Sequence, residues 1–216
     1  MRSFQNLTNP EDILGGVYTQ KVAMHLAWMM HRRRFRPASI LNMGVGSGHE
    51  LGIWKWLFPS VMILAVDPKP LYSCHRRRDG KLKFVQAVVD DGSSSDSIFC
   101  GSCSSLQCKD QAHHEAAKVW QSVKAVTIDE LSKELEPPHL MWMDIDGSEV
   151  RALQGATQTL KKTGWLCIEL VNWIPRHRRN ILNVLKRHGF VLEVLFKNDG
   201  LFRNSKITSG HFVRGR

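Results

Sequence analysis

The sequence predicts an α/β fold: a mainly parallel sheet with helices on both faces and an antiparallel last strand. Three observations predict it. Short apolar runs alternate along the chain with segments of helical periodicity. The runs, such as Val61 to Val66, are continuously apolar, as strands covered on both faces are. A glycine-rich turn joins the first run to the helix that follows it, the place where such sheets bind ligands.

The elements follow in order. Residues 1 to 18 are polar and read as loop. From Thr19, Val22, Leu26, Met29 and Met30 recur at helical spacing, with Arg32 to Arg34 in the last turn and Pro37 as the stop. Residues 1–36 thus form a helical extension, and 37–216 one domain of a length that a single core can hold together. Ser39 to Met43 is the first strand, His49 to Leu57 a helix, Val61 to Val66 and Leu82 to Val89 two further strands. The stretch Asp90 to Lys118 is serine-rich and poor in large apolar residues, so a loop insertion is expected over about 90–124. Thr127 and Glu130 have capping-box spacing and open a short helix through Leu135. His139 to Ile145 is a strand. Asp146 and Glu149 repeat the cap spacing, which predicts a helix through Leu160 stopped by Gly164. Trp165 to Val171 is a strand, Pro175 to His188 a helix, and Phe190 to Phe196 a strand. After the turn at Asn198-Asp199-Gly200 a last strand returns, either Leu201 to Asn204 or Gly210 to Arg214.

Composition excludes several classes. The chain has 216 residues, 43% hydrophobic and 23% charged, so it is neither a disordered tail nor a collagen-like chain. No apolar run is long enough to cross a bilayer, and the N-terminal residues lack the apolar centre of a secretory signal. With five cysteines, an odd number, reduced thiols and a cytoplasmic location are expected. The net charge is +10 and the sequence pI about 9.6. Basic residues bunch at Arg32–Arg34 with Arg36, at Arg76–Arg78, and at Arg176 with Arg178 and Arg179. Such a surface attracts anionic partners, nucleic acid among them.

Gly44, Gly46 and Gly48 let the chain turn tightly and approach a ligand closely. Their G-x-G-x-G spacing departs from the dinucleotide pattern, which needs glycine where His49 stands, and from the P-loop, which needs Gly-Lys-Ser/Thr. Nineteen residues after Gly48, at the end of the second strand, Asp67 can accept both ribose hydroxyls of an adenosine. Together these features read as S-adenosylmethionine binding. The expected cofactor contacts are Asn42, Met43, Gly44, Val45, Gly46 and Gly48 around the loop, Asp67 and Pro68 after the second strand, and Ala87 and Val88 after the third.

The stretch Met143-Asp144-Ile145-Asp146-Gly147-Ser148-Glu149-Val150, continuing to Gly155-Ala156, resembles the I-D-V-E-G-A-E-x-x-x-L-x-G-A signature of FkbM-like methyltransferases. Thr127 to Leu131 is similar to that family's T-L-D-x-L, Ser104-Ser105-Leu106 to its S-S-L, and Ile168-Glu169-Leu170 to the end of its fifth strand. The resemblance runs from about residue 39 to 196. It implies a Rossmann-like class I fold and S-adenosylmethionine-dependent O-methylation. The chain departs from the family at Asn42, where the family has an acid, at Trp142, where it often has lysine, and at Asp146, where it has glutamate. Asn42 keeps an acceptor oxygen but loses the charge.

Methyl transfer is an in-line displacement, so the protein has to align the acceptor and take its proton. Asp144, at the end of the fourth strand of the resemblance, is the expected base or holding group, and Glu169, at the end of the fifth, the second catalytic candidate. Asp146, Trp173 and His49 are the substrate-contact candidates. Asp144, Glu169 and Asn172 form an alternative Mg²⁺ set, and Cys100, Cys103, Cys108 and His113 an alternative zinc set. The expected acceptor is a hydroxyl of a small molecule or sugar, anionic in view of the arginines. Two other readings compete with it. One is an RNA methyltransferase, in which Lys21, Asp144 and Glu169 imitate part of a Lys-Asp-Lys-Glu set; the other is a degenerate binding module.

Overall fold

The computed structural model describes residues 18–46, 48–70, 80–93, 96–100, 120–170 and 175–207. Helix α1 (Tyr18–Arg32) leads to strand β1 (Ser39–Met43), helix α2 (His49–Leu57), and strands β2 (Met62–Asp67), β3 (Leu82–Gln86) and β4 (Val88–Val89). Strands β5 (Asp96–Cys100) and β6 (Trp120–Val126) and the short helix α3 (Ile128–Leu131) follow. Then come β7 (His139–Met143), α4 (Glu149–Gln154), a 3-10 turn at Leu160–Lys162, β8 (Thr163–Glu169), α5 (Pro175–Arg187), β9 (Phe190–Phe196) and β10 (Asp199–Asn204).

Seven strands form the main sheet in the order β3-β2-β1-β7-β8-β10-β9. Only β10 runs against its neighbours, pairing antiparallel with both β8 and β9. The order reverses at β1, which lies between β2 and β7, so the carboxyl ends of these strands frame a crevice.

The strands are apolar on both faces because both faces are covered. Ile40, Ile63, Leu140, Trp142, Trp165 and Cys167 point to one side, where they pack with Val22, Leu26 and Met30 of α1 and Leu51, Trp54 and Leu57 of α2. The alternate residues Leu41, Met43, Leu64, Met141, Leu166 and Ile168 face Ala152 and Leu153 of α4 and Ile181 and Leu185 of α5. Burying side chains of this size is worth roughly 1.5–3 kcal/mol each.

Three expectations are corrected. The run Leu82 to Val89 breaks at Ala87, and β4 leaves the main sheet to pair in parallel with β6. The region expected to be a loop contributes two strands, because β5 pairs antiparallel with β6 and completes a second, three-stranded sheet. The helix expected from Asp146 to Leu160 is only α4. Ser148 is its N-cap residue, and Asp146 sits at φ 50° in a left-handed turn ahead of it. Gly164 lies inside β8, where a Cβ would come within 2.2 Å of the Phe35 ring.

The Thr127–Glu130 capping box is present, with the Thr127 hydroxyl accepting from Glu130 N–H and the Glu130 carboxylate accepting from Thr127 N–H. The helix it opens stops at Leu131, short of Leu135. Of the two alternatives for the last strand, the first is observed, as β10. Among the described residues, no helix is long and apolar enough to cross a membrane.

Candidate functional site

Beyond the carboxyl ends of β1, β2 and β7 lies a cavity of about 300 Å³. Gly44, Val45 and Gly46, Asp67 and Pro68, Ala87 and Val88, and Asp144 and Asp146 all line it, so one cleft gathers residues expected to hold the cofactor with two expected at the reaction.

The glycine loop is shaped by close packing. Gly44 N–H donates to the Val66 carbonyl at 2.9 Å, and Asp144 N–H to the Met43 carbonyl at 3.0 Å. A Cβ on Gly44 would fall 1.6 Å from the Asp144 carbonyl oxygen, and its φ of +78° is one that L side chains rarely adopt. Gly48 also has positive φ and precedes α2 as its N-cap residue.

Asp67 closes the loop from the other side. Its Oδ2 accepts from Val45 N–H at 2.8 Å and Gly46 N–H at 3.0 Å, and its Oδ1 from Lys69 N–H at 2.7 Å. A carboxylate offers about four acceptor positions. Asp67 therefore pins the loop and retains capacity toward the cleft.

The strand register explains the acidic end of the site. Met143 pairs with Ile168 across β7 and β8, so Asp144 and Glu169 come next to one another. Glu169 in turn pairs with Asp199 of β10. Carboxylate oxygens of Asp144, Asp146 and Glu169 lie within 4.8 Å of one another. Solvent reaches Asp144 through the cleft mouth, but the surrounding protein and then Glu169, Asp146, Asp199 and Glu149 push its carboxyl up to about 8. Glu169 is pushed up to about 7 by burial, Glu149, Asp146 and Asp199. Burial also raises Asp199, against a hydrogen bond from Tyr18 that lowers it. A hard cation takes such a donor set, but acidic groups also gather without one, and the cluster alone assigns no metal.

The turn carrying Asp146 is braced from behind. The buried Glu149 accepts through Oε1 from Ile145 N–H at 3.3 Å and Gly147 N–H at 3.1 Å. Its Oε2 lies 2.7 Å from Nε2 of His177, also buried, on α5. Glu149 therefore does bond the backbone ahead of its helix, as its cap spacing implied, and ties that turn to α5 as well.

Other expected residues fall elsewhere. Asn42 and Met43 are fully buried in β1 beneath the loop. His49 is exposed on the first turn of α2 and does not line the cavity. Glu169 ends β8 beside Asp144, and it too is outside the cavity lining. Trp173, Asn172, Cys103, Cys108, His113 and the side chain of Cys100 lie outside the described residues, as do Arg76–Arg78. Glu50, Lys69, Trp142 and Ser148 line the cavity without having been singled out for it.

The methyltransferase FkbM domain family matches residues 47–192, more than half of the chain. Among curated proteins, none matches. Among solved structures, the apo-structure of CmcI is similar with a TM-score of 0.51 at 15% identity, covering 84% of this chain and 70% of that one. Precorrin-6y C5,15-methyltransferase from Geobacter metallireducens GS-15 has a TM-score of 0.49 at 13% identity, over 86% of this chain and 87% of that one. The SAH-bound methyltransferase PaMTH1 of Podospora anserina has a TM-score of 0.46 at 10% identity, over 90% and 83%. With the strand order and the cleft at its reversal point, the family match leads to one conclusion: the chain belongs to the FkbM methyltransferase domain family, within the class I S-adenosylmethionine-dependent methyltransferases.

Proposed function

We propose that the chain is an O-methyltransferase that moves a methyl group to a hydroxyl of a small-molecule or sugar acceptor, with Asp144 as the proton-accepting group. The observation that carries this reading is the position of Asp144: on the cavity wall at the end of β7, beside the glycine loop, with a carboxyl raised to about 8. A base with its pKa near the working pH combines a useful ionised fraction with a strong pull on the proton.

S-adenosylmethionine supplies an electrophilic methyl on a sulfonium, which leaves as a neutral thioether when the acceptor oxygen attacks. In this reading the glycine loop, whose Val45 and Gly46 N–H groups are held by Asp67, would lie close against the donor, and Asp67 would take its ribose hydroxyls, with Pro68, Ala87 and Val88 along the adenosine. Asp144 accepts the hydroxyl proton as the new O–C bond forms and the S–C bond breaks. Glu169 and Asp146 strengthen its proton affinity by like-charge repulsion.

The acidic wall bears on the acceptor. A phosphate or carboxylate at the reacting end would face Asp144 and Asp146, so the entering part is a neutral hydroxyl. An anionic part of the same acceptor would lie outward, where Arg176 and Arg179 are exposed at the start of α5. The same wall disfavours an RNA backbone at the reacting end, although the net charge of +10 supports RNA as a second reading.

The test is turnover of hydroxyl acceptors by Asp144→Asn. It should bind S-adenosylhomocysteine like the wild type while losing about a hundredfold or more of its rate. Unchanged turnover would end the assignment.

A further inference from the structure

Glu50 is the acidic residue on the cavity wall to which the proposed reaction gives no part. It stands in the first turn of α2, 3% exposed, and lines the same cavity as Asp67 and Asp144. Its Oε1 accepts from Nδ2 of Asn42 at 3.0 Å, while Oδ1 of Asn42 accepts from Nε1 of Trp54 at 3.3 Å. The chain Trp54 to Asn42 to Glu50 therefore fixes the amide with its NH₂ toward the glutamate. Asn42 itself is fully buried and outside the cavity lining. Of this hydrogen-bonded trio, the carboxylate that lines the cavity is Glu50.

A buried carboxylate is costly unless a cation meets it. Among the described residues, no lysine, arginine or histidine forms an ion pair with Glu50. Burial, with a smaller push from Asp67, raises its carboxyl to about 7. The site thus presents a desolvated acid facing a ligand cavity, held by neutral donors alone. The donor of the reaction carries a primary ammonium on its amino-acid end, and that group supplies the missing cation through a charge-assisted hydrogen bond.

We propose that Glu50 is the residue that receives the donor's α-ammonium, and that it makes the cleft select S-adenosylmethionine and S-adenosylhomocysteine over adenosine thioethers that lack the amino-acid end. The inference rests on the cavity being the donor site, and the experiment separates the two. Calorimetry compares S-adenosylhomocysteine with 5′-methylthioadenosine, which has the nucleoside and the thioether but no ammonium. Wild type should bind both, the first more tightly. Glu50→Gln, similar in shape, should weaken S-adenosylhomocysteine by about tenfold or more and leave 5′-methylthioadenosine within about twofold, which also shows that the variant is folded. Equal weakening of both ligands would make Glu50 a structural residue and overturn the proposal. An unchanged affinity for S-adenosylhomocysteine would overturn it too. If wild type binds neither ligand, the donor-site reading fails first and takes this inference with it.

Discussion

Gly44 and Asp144 meet at the point where β1 and β7 end, and the contact sets what each can be. A methyl group on Gly44 has no room beside the Asp144 carbonyl, 1.6 Å from where it would sit, and φ is +78°. Gly44→Ala should cost roughly 3 kcal/mol or more in urea denaturation and abolish donor binding. Asp144 carries a pH signature. In the proposed reaction its ionised form accepts the proton, so kcat/KM should rise with pH and level off above about 8. Its effect on stability has the opposite slope. The folded-state carboxyl is raised, so the native protein holds a proton that the unfolded chain has released; stability is full below about 4 and falls as pH climbs through about 8. Asp144→Asn should therefore melt higher than wild type at pH 8 and show little difference at pH 4. A melting difference that does not change with pH would contradict the account.

Which residues meet at the cleft was only partly legible in the sequence. Asp144, Asp67 and the glycines stood out because strand ends and tight turns restrict residue type. Glu50 did not, since an acid in a helix's first turn ordinarily serves the helix dipole. One residue, about 100° around α2, separates the exposed His49 from the buried Glu50, and which of them faces the cleft depends on how the helix docks.

At the scale of elements, the site depends on a brace between α5 and the turn before α4. Glu149 links Ile145 and Gly147 N–H groups to His177, and that turn contains Asp146 at φ 50°, a strained conformation for a residue with a side chain. His177→Ala should leave the Glu149 carboxylate short of a buried partner, lower stability by about 2–3 kcal/mol, and reduce turnover through the loosened turn. Equal stability of the variant in urea would refute the brace. Elements with local signals were readable: the continuous apolar strands, the Thr127–Glu130 cap, and Gly189 at φ +89° closing α5. The pairing of β5 with β6 was not. Its partners lie far apart in sequence, from Asp96↔Lys124 to Cys100↔Trp120, and serine-rich composition between them gives no local sign of it. Asp146 misled for a related reason, since its cap spacing to Glu149 is real but Ser148 takes the cap position.

At the scale of the molecule, charge is unevenly shared. The chain is basic overall, at +10, while Asp144, Asp146, Glu169 and Asp199 concentrate negative charge at the ends of β7, β8 and β10. Composition could show the first fact and not the second, because the acids come together only through strand register. The donor, cationic at its sulfonium and ammonium, suits this cleft. Its affinity should fall with added salt more than that of 5′-methylthioadenosine, compared by titration at low and high ionic strength. The central claim, that the crevice at the end of β1 and β2 holds the donor with Asp67 at its ribose, has a direct measurement: calorimetric titration of wild type and Asp67→Ala with S-adenosylhomocysteine. The account predicts one molecule bound per chain by wild type and a loss of about a hundredfold or more in the variant. Absence of binding to wild type, or equal affinity in the two proteins, would contradict it.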